Sequence, residues 1–337
     1  MSSINRNFSS KVKNGIAAAL LLSLIFTQTG CGSKKFSYAF DVNNPKNAFR
    51  FENHNSSAVA PSFASDLAVV DGDIMEGDEV ETGSDSYGSA VLFSVNDCET
   101  LYSRNAFATL YPASMTKVMT AMVALEEGNL DRVLTFTEAC EVKEEDAQKI
   151  DLKPGDTMTL DQALHILLIY SANDVANLIA VGLEGSLDGF CEKMNERALK
   201  LGATNTHFTN PNGLQDENHY TCAYDMYLIF NEAIKNEEFK QIISMADYST
   251  SYKDAEGNPK DFECSVTNRY LKGQVNAPTN VTVVGGKTGT TLAAGACLVL
   301  LSRSASGKQY ISCVMKGDNI DVTYAKTNAL LELINGN

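Results

Sequence analysis

Apolar residues recur at three- and four-residue spacing through 112–127 (PASMTKVMTAMVALEE), where Met115, Val118, Met119, Met122 and Leu125 share one side of a helix. Pro112 and Ala113 lead into that helix and Gly128 stops it. Before it, 89–95 (SAVLFSV) and 99–104 (ETLYSR) are β-type runs around Asn96, Asp97 and Cys98, which predicts a hairpin. Residues 129–158 are polar and turn-rich. Thr159 and Gln162 then form a capping box at the head of an apolar helix through Ile169. The polar run from Tyr170 to Asp174 interrupts the pattern, which resumes with Val175, Ala176, Leu178 and Ile179. Ser186 to Leu201 reads as an amphipathic helix closed by Gly202, 203–220 as a long loop, and Thr221 as the start of a helix to about Asn236. From 281 the period changes. Strand-like runs at 281–284, 287–290, 296–302 and 310–315 are divided by Gly285-Gly286, Ala294-Gly295 and Ser306-Gly307, the first two forming one strand with a glycine bulge. A closing helix covers about Val322 to Ile334. This order predicts an α/β (α+β) domain: the hairpin joins the meander in one antiparallel sheet of about five strands, covered by helices.

The N-terminus changes the picture first. Arg6, Lys11 and Lys13 precede an apolar run from Ile16 to Phe26, too short for a comfortable transmembrane span. The run ends in TQTGC, and the small residues before Cys31 resemble a bacterial lipoprotein processing site, with Gln28 in place of the usual aliphatic residue. Lipidation of Cys31 would tether the protein outside the cell; ordinary signal cleavage would release it. Residues 1–31 are thus read as a signal and 32–86 as a flexible spacer. Asp66 to Asp85 holds eight carboxylates and no basic residue, a run that repels itself. The folded part is 87–337. Its 44% hydrophobic composition supports a large core, and the formal charge of −15 argues against nucleic acid as a partner. Setting Cys31 aside, seven cysteines remain without a C-x-x-C pair; Cys297 and Cys313 lie in apolar strands as small buried hydrophobes.

Candidate chemistry comes in three places. Ser114 and Lys117 are three apart, stacked on one helical face, with the unpaired N–H groups of a first turn beside the serine hydroxyl. A hydroxyl with an amine one turn away is the minimal arrangement for acyl transfer. Ser171 and Asn173 either cap a helix junction or form a polar element pushed into a cleft beside Ser114. Lys287 and Thr288, alternating with Gly289 before Thr290, suit a carboxylate-bearing ligand lying along a strand. His207 and His219 lack a matching third metal ligand and read as loop-ordering residues, and His165 as a structural histidine.

S-M-T-K at 114–117, S-A-N at 171–173 and K-T-G at 287–289 resemble, in order and spacing, the penicillin-binding and serine β-lactamase superfamily. YPASMTKVMTAMVALE, LLIYSANDVANLIA, HFTNPNGLQDENHYTCAYDM and GGKTGTTLAAGACLVLLS look like the low-molecular-mass D-alanyl-D-alanine carboxypeptidases, peptidase family S11. The resemblance runs over about 87–337 and implies a transpeptidase-like fold with a mainly helical subdomain. It implies removal of the terminal D-alanine from peptidoglycan stem peptides through an acyl-enzyme on Ser114, with β-lactams as covalent inhibitors. Lys117 would be the base and Ser171 the proton relay. Asn173, Lys287, Thr288 and Gly289 would bind substrate, and the backbone N–H groups of Ser114 and Thr290 would form the oxyanion hole. No metal or organic cofactor is implied, membrane contact is through the N-terminal lipid only, and the expected state is a monomer. Two departures stand out. The residues after the closing helix do not read as the β-rich second domain and amphipathic anchor of many relatives, a role expected to pass to the N-terminal tether. There is also no E-x-x-L-N arrangement of the class A β-lactamase kind, since Glu184 is followed by Gly185-Ser186-Leu187. The competing activities are D,D-endopeptidase, β-lactamase and non-enzymatic β-lactam sensor.

Overall fold

A computed structural model of the chain describes residues 66–74 and 87–336; the export segment with Cys31 and most of the acidic stretch lie outside the described residues. The expected hairpin is β1 (Ser89–Ser94) and β2 (Glu99–Arg104), antiparallel with Val91 opposite Ser103. Successive side chains of a strand point to opposite faces. Val91 and Phe93 therefore enter the main core, while Ala90 and Leu92 enter a second core on the other face. With both faces covered, the strand reads as a nearly continuous apolar run. Each fully buried large side chain of this kind contributes about 1.5–3 kcal/mol.

The chain continues through α1 (Thr116–Glu126) into two short strands, β3 (Val133–Thr135) and β4 (Thr157–Thr159), drawn from the stretch read as turns. The capping box then forms: the Thr159 hydroxyl accepts from Gln162 N–H at 3.2 Å, and Gln162 Oε1 accepts from Thr159 N–H at 2.9 Å. The helix it starts, α2 (Leu160–His165), does not remain α-helical to Ile169 but widens into a π-turn over Ile166–Tyr170. Three helices follow, α3 (Asn173–Glu184), α4 (Leu187–Lys200) and α5 (Ala223–Ala233), and then α6 (Glu237–Ile243). The helix expected from Thr221 to about Asn236 is α5, and α6 is a further helix beyond it. Cys222 caps α5, and the Asn236 side chain accepts from Phe239 N–H at 3.1 Å, which starts α6 rather than extending α5.

A second hairpin, β5 (Asp247–Lys253) with β6 (Pro259–Ser265), precedes the meander β7 (Val281–Thr291), β8 (Gly295–Ser304) and β9 (Gln309–Gly317), and α7 (Ile320–Glu332) closes the chain. The main sheet has five strands in the order β2-β1-β9-β8-β7, all antiparallel, with the expected irregularity in β7 between Val283 and Gly285. Helices α1 and α5 lie in the core on one face. On the other, Leu330 and Leu331 of α7 pack against Leu92, Tyr102, Tyr310 and Val314. A four-stranded sheet, β3-β4-β5-β6, supplements the helical subdomain and was not anticipated.

The spacer expectation needs correcting at 66–74. Ala68 and Val70 are buried. Ala68 N–H donates to the Tyr227 hydroxyl at 2.9 Å, and the Tyr224 hydroxyl donates to Ala68 carbonyl at 3.0 Å. Ile74 exchanges backbone hydrogen bonds with Ser103 of β2 at 2.8 and 2.9 Å. The outer edge of β2 offers backbone partners that outweigh the local acidity. Among the described residues, seven cysteines are free thiols. Cys297 and Cys313 are buried as expected, and burial pushes the Cys297 thiol up to about 11. No helix among the described residues is long and apolar enough to cross a membrane.

Candidate active site

Ser114 sits not in the first turn of α1 but in a 3-10 turn, Ala113–Met115, just before it. The turn begins at Ala113 with φ +48°, a left-handed value that costs of order 1–3 kcal/mol for a residue carrying a side chain. Its surroundings hold it there. The Thr116 hydroxyl donates to Ala113 carbonyl at 2.8 Å. Thr209 N–H donates to His219 Nδ1 at 3.0 Å, so the ring carries its proton on Nε2 and donates to Thr116 Oγ1 at 2.8 Å. Burial, the largest influence, pushes the His219 pKa down to about 4, and the ring orders the loop as expected. Gly213 lies against the same turn with φ +87°, and a β-carbon there would fall 1.9 Å from Ala113 carbonyl. On the other side, a β-carbon at Gly289 would fall 3.0 Å from Ser114 N. Strand and loop both close on the serine because glycine stands at each contact.

Lys117 is fully buried, and its Nζ has three partners: Ser114 Oγ at 2.9 Å, Asn173 Oδ1 at 2.8 Å and the Asn212 carbonyl at 2.6 Å. Burial, then the charge of Lys287, hold its pKa well below the ordinary lysine value, against an opposing pull from Asp174. A neutral amine has two N–H bonds and one lone pair. The two carbonyl oxygens take the N–H bonds, which leaves the lone pair for the Ser114 hydroxyl. The arrangement can remove a proton from that serine.

The π-turn delivers the second element. Ser171 N–H donates to Ile166 carbonyl at 3.1 Å, and Ser171 takes a left-handed φ of 72°. The N-cap of α3 is Ala172, with no side-chain cap, so Ser171 and Asn173 do not serve as caps. They face the cleft instead. Asn173 holds Lys117, and Ser171 Oγ accepts from Lys287 Nζ at 2.9 Å. Lys287, on β7, also donates to Thr288 carbonyl at 3.0 Å, and burial lowers its pKa to about 7. Hydrogen bonds thus link Ser114, Lys117 and Asn173, and likewise Ser171 and Lys287. Thr288, Gly289 and Thr290 follow on the strand that passes the serine turn.

Two contributions escaped the sequence reading. The Asn212 carbonyl is a backbone group, and its only trace is the Asn212-Gly213 turn signal in 203–220. Asp174 is buried and accepts from the N–H groups of Ile150 (3.1 Å), Leu152 (3.2 Å) and Val175 (3.0 Å), while Asn173 N–H donates to Gln148 carbonyl at 2.8 Å. The 148–152 loop is thereby strapped to the start of α3. Burial raises the Asp174 carboxyl against these donors. Among the described residues, Asp161, His165 and Glu238 place one potential ligand atom each within 4.8 Å of one another. His165 is satisfied without a metal: Nδ1 donates to Asp161 carbonyl at 2.9 Å and the ring stacks on Tyr248.

The family model described as D-alanyl-D-alanine carboxypeptidase, peptidase S11, matches residues 78–319. The D-alanyl-D-alanine carboxypeptidase DacF of Bacillus subtilis is 35% identical over 226 residues, which cover 65% of this chain and 54% of that protein. DacB2 of Mycobacterium tuberculosis is 33% identical over 233 residues, covering 67% of this chain and 74% of that protein. The chain therefore spans about half the length of the first relative and about three quarters of the second. The crystal structure of the Streptomyces K15 DD-transpeptidase superposes with a TM-score of 0.69 at 25% identity, over 76% of this chain and 99% of that one. The extent of the family match, on a fold and a cleft that agree with it, shows that the chain belongs to the S11 family of D-alanyl-D-alanine carboxypeptidases.

Proposed function

We propose that the protein is a serine D-alanyl-D-alanine carboxypeptidase that trims peptidoglycan stem peptides, and that β-lactams acylate it covalently. The observation that carries this reading is Lys117 Nζ, 2.9 Å from Ser114 Oγ with its other two contacts made to carbonyl oxygens. Ser114 Oγ attacks the carbonyl carbon of the penultimate D-alanine, and its proton passes to neutral Lys117. The backbone N–H groups of Ser114 and Thr290 receive the developing oxyanion; each such donor is worth about 3 kcal/mol in the transition state. Gly289 supports this role, because a β-carbon there would crowd Ser114 N at 3.0 Å. The C–N bond then breaks as Ser171, bridged to Lys287, gives its proton to the leaving D-alanine nitrogen and takes up the proton held by Lys117, which is neutral again. Water attacks the ester and gives its proton to Lys117; the acyl–oxygen bond breaks, the shortened peptide leaves, and Lys117 returns the proton to Ser114 Oγ. Lys287 and Thr288 hold the terminal carboxylate, and Asn173 orients Lys117 and the substrate amide.

Residues 87–337 form the catalytic domain in this reading, and 1–31 carry export and lipid processing at Cys31. The intervening stretch is the tether, whose 66–74 segment lies along β2, and the enzyme works outside the cell as a monomer. The test is D-alanine release from diacetyl-L-Lys-D-Ala-D-Ala. The wild-type chain should release it, and Ser114→Ala should neither release it nor be labelled by penicillin while melting at an unchanged temperature. Labelling retained in Ser114→Ala would sink the assignment.

A further inference from the structure

One residue outside the three motifs touches two of the elements that carry them. Thr267 lies in the turn after β6, on the second sheet's side of the cleft, between buried Val266 and buried Asn268. Its N–H donates to the carbonyl of Ile169, two residues before Ser171, at 3.3 Å. Its hydroxyl lies 2.6 Å from the hydroxyl of Thr288. The Thr267 hydroxyl is half-buried, and Thr288 is its hydrogen-bonding partner.

The direction of this hydrogen bond follows from what each group must do. A hydroxyl carries one proton and two lone pairs, whereas a carboxylate only accepts. If Thr288 donated to Thr267, its proton would be spent inside the protein and its oxygen would present lone pairs to an anion. When Thr267 donates instead, the Thr288 proton is released toward the ligand, and each bond in the chain polarises the next. Hydrogen bonds to an ionised acceptor are the stronger kind, so an anion selects this second orientation.

We infer that Thr267 is a specificity-determining positioning residue, whose hydroxyl donates to Thr288 and so aims the Thr288 proton at the substrate's terminal carboxylate. This rests on the serine-acylation reading above and extends it to a residue no motif contains. The mechanism is local to the carboxylate, so it predicts a loss that depends on the charge of the ligand.

The test compares acylation of Ser114 by benzylpenicillin and by its methyl ester, in which the carboxylate is blocked, followed by mass spectrometry. Thr267→Val keeps the side-chain shape and removes the hydroxyl. The second-order acylation constant for benzylpenicillin should fall about three- to tenfold, the range for one lost hydrogen bond. The methyl ester should be affected less than about twofold, and Thr267→Ser should restore the wild-type ratio of acid to ester. With diacetyl-L-Lys-D-Ala-D-Ala, the same variant should raise KM with kcat little changed. An equal loss on acid and ester would mean that Thr267 merely braces the strand, and would overturn the inference, as would no loss on either. Should Thr267→Val prove unstable, Thr267→Ala and Thr267→Ser carry the same ratio test. Failure of wild-type Ser114 to be acylated at all would instead remove the parent reading, so the two failures are distinguishable.

Discussion

The two sheets of the molecule follow opposite rules. In the five-stranded sheet, β1 is buried at all six positions, and β8 and β9 are buried over most of their length, because helices cover both faces. In the four-stranded sheet, β5 and β6 alternate exposed and half-buried residues, with a single buried position each near the end. The first sheet is a rigid frame whose edge strand carries Lys287. The second is a half-solvated wall that meets the frame through the Thr267–Thr288 contact and meets α2 through Gln162 and Thr250 at 2.7 Å. A cleft between a frame and a wall needs precision on one side and allows adjustment on the other, and their packing differs accordingly.

The largest expected effect separates the two directly. Phe93, fully buried with its ring centroid 4.0 Å from that of Tyr227, should cost about 3–5 kcal/mol on change to alanine. Phe262 on β6, half-buried and edge-on to Tyr170, should cost about 1–2 kcal/mol. Urea denaturation of both variants checks this, and equal losses would break the contrast.

Next is the joint at the serine turn. Gly213→Ala places a β-carbon 1.9 Å from Ala113 carbonyl at a left-handed φ, so the turn must move. Penicillin acylation of Ser114 should fall by roughly a hundredfold, the scale of an ångström-sized misplacement. Stopped-flow labelling reads it, and a change under threefold would show the loop to be yielding.

The buried lysines sharpen the comparison through pH. Lys287 has its folded pKa lowered to about 7 from 10.5, so between those values the unfolded chain binds more protons than the folded one. Stability should therefore rise as pH increases from about 7 to 10.5, and Lys117 acts in the same direction. Lys287→Met removes this dependence at that site. It should gain about 1–3 kcal/mol near pH 7, with the gain shrinking toward pH 10.5, and lose acylation. Chemical denaturation across pH checks the slope; an undiminished slope in the variant would contradict it.

The smallest effect lies on the loop strap. Asp174 raises the Lys117 pKa, so Asp174→Asn should let that pKa fall further. More of the amine is then neutral at low pH, and the acid limb of kcat/KM should move to lower pH, with less than about a tenfold change at pH 7. A limb that moved upward would mean that loosening of the 148–152 loop, not charge, controls the base.

The frame was legible in the sequence because its determinants are local or periodic. SAVLFS, GACLVLLSRS and QYISCVMKG are apolar runs bounded by turns, and the Thr159–Gln162 capping box is readable from two residues. The wall was not legible. DYSTSYK and PKDFECS place serine, threonine and charge where a strand with one wet face tolerates them, which leaves no strong alternation to read.

The residue types of the cleft were likewise set down in the chain: a serine three before a lysine, S-A-N, and K-T-G. What they do to one another was decided only by folding. Burial is a property of the assembled protein, and burial, with the charge of Lys287, is what lowers Lys117. The Asn212 carbonyl that takes one of its N–H bonds belongs to every residue type alike, so no sequence pattern marks it. The left-handed turns at Ala113 and Ser171 are held by contacts from loops 95 or more positions away or from a π-turn that propensity does not encode. Identity of the groups was local information; their protonation and aim came from distant parts of the chain brought into contact.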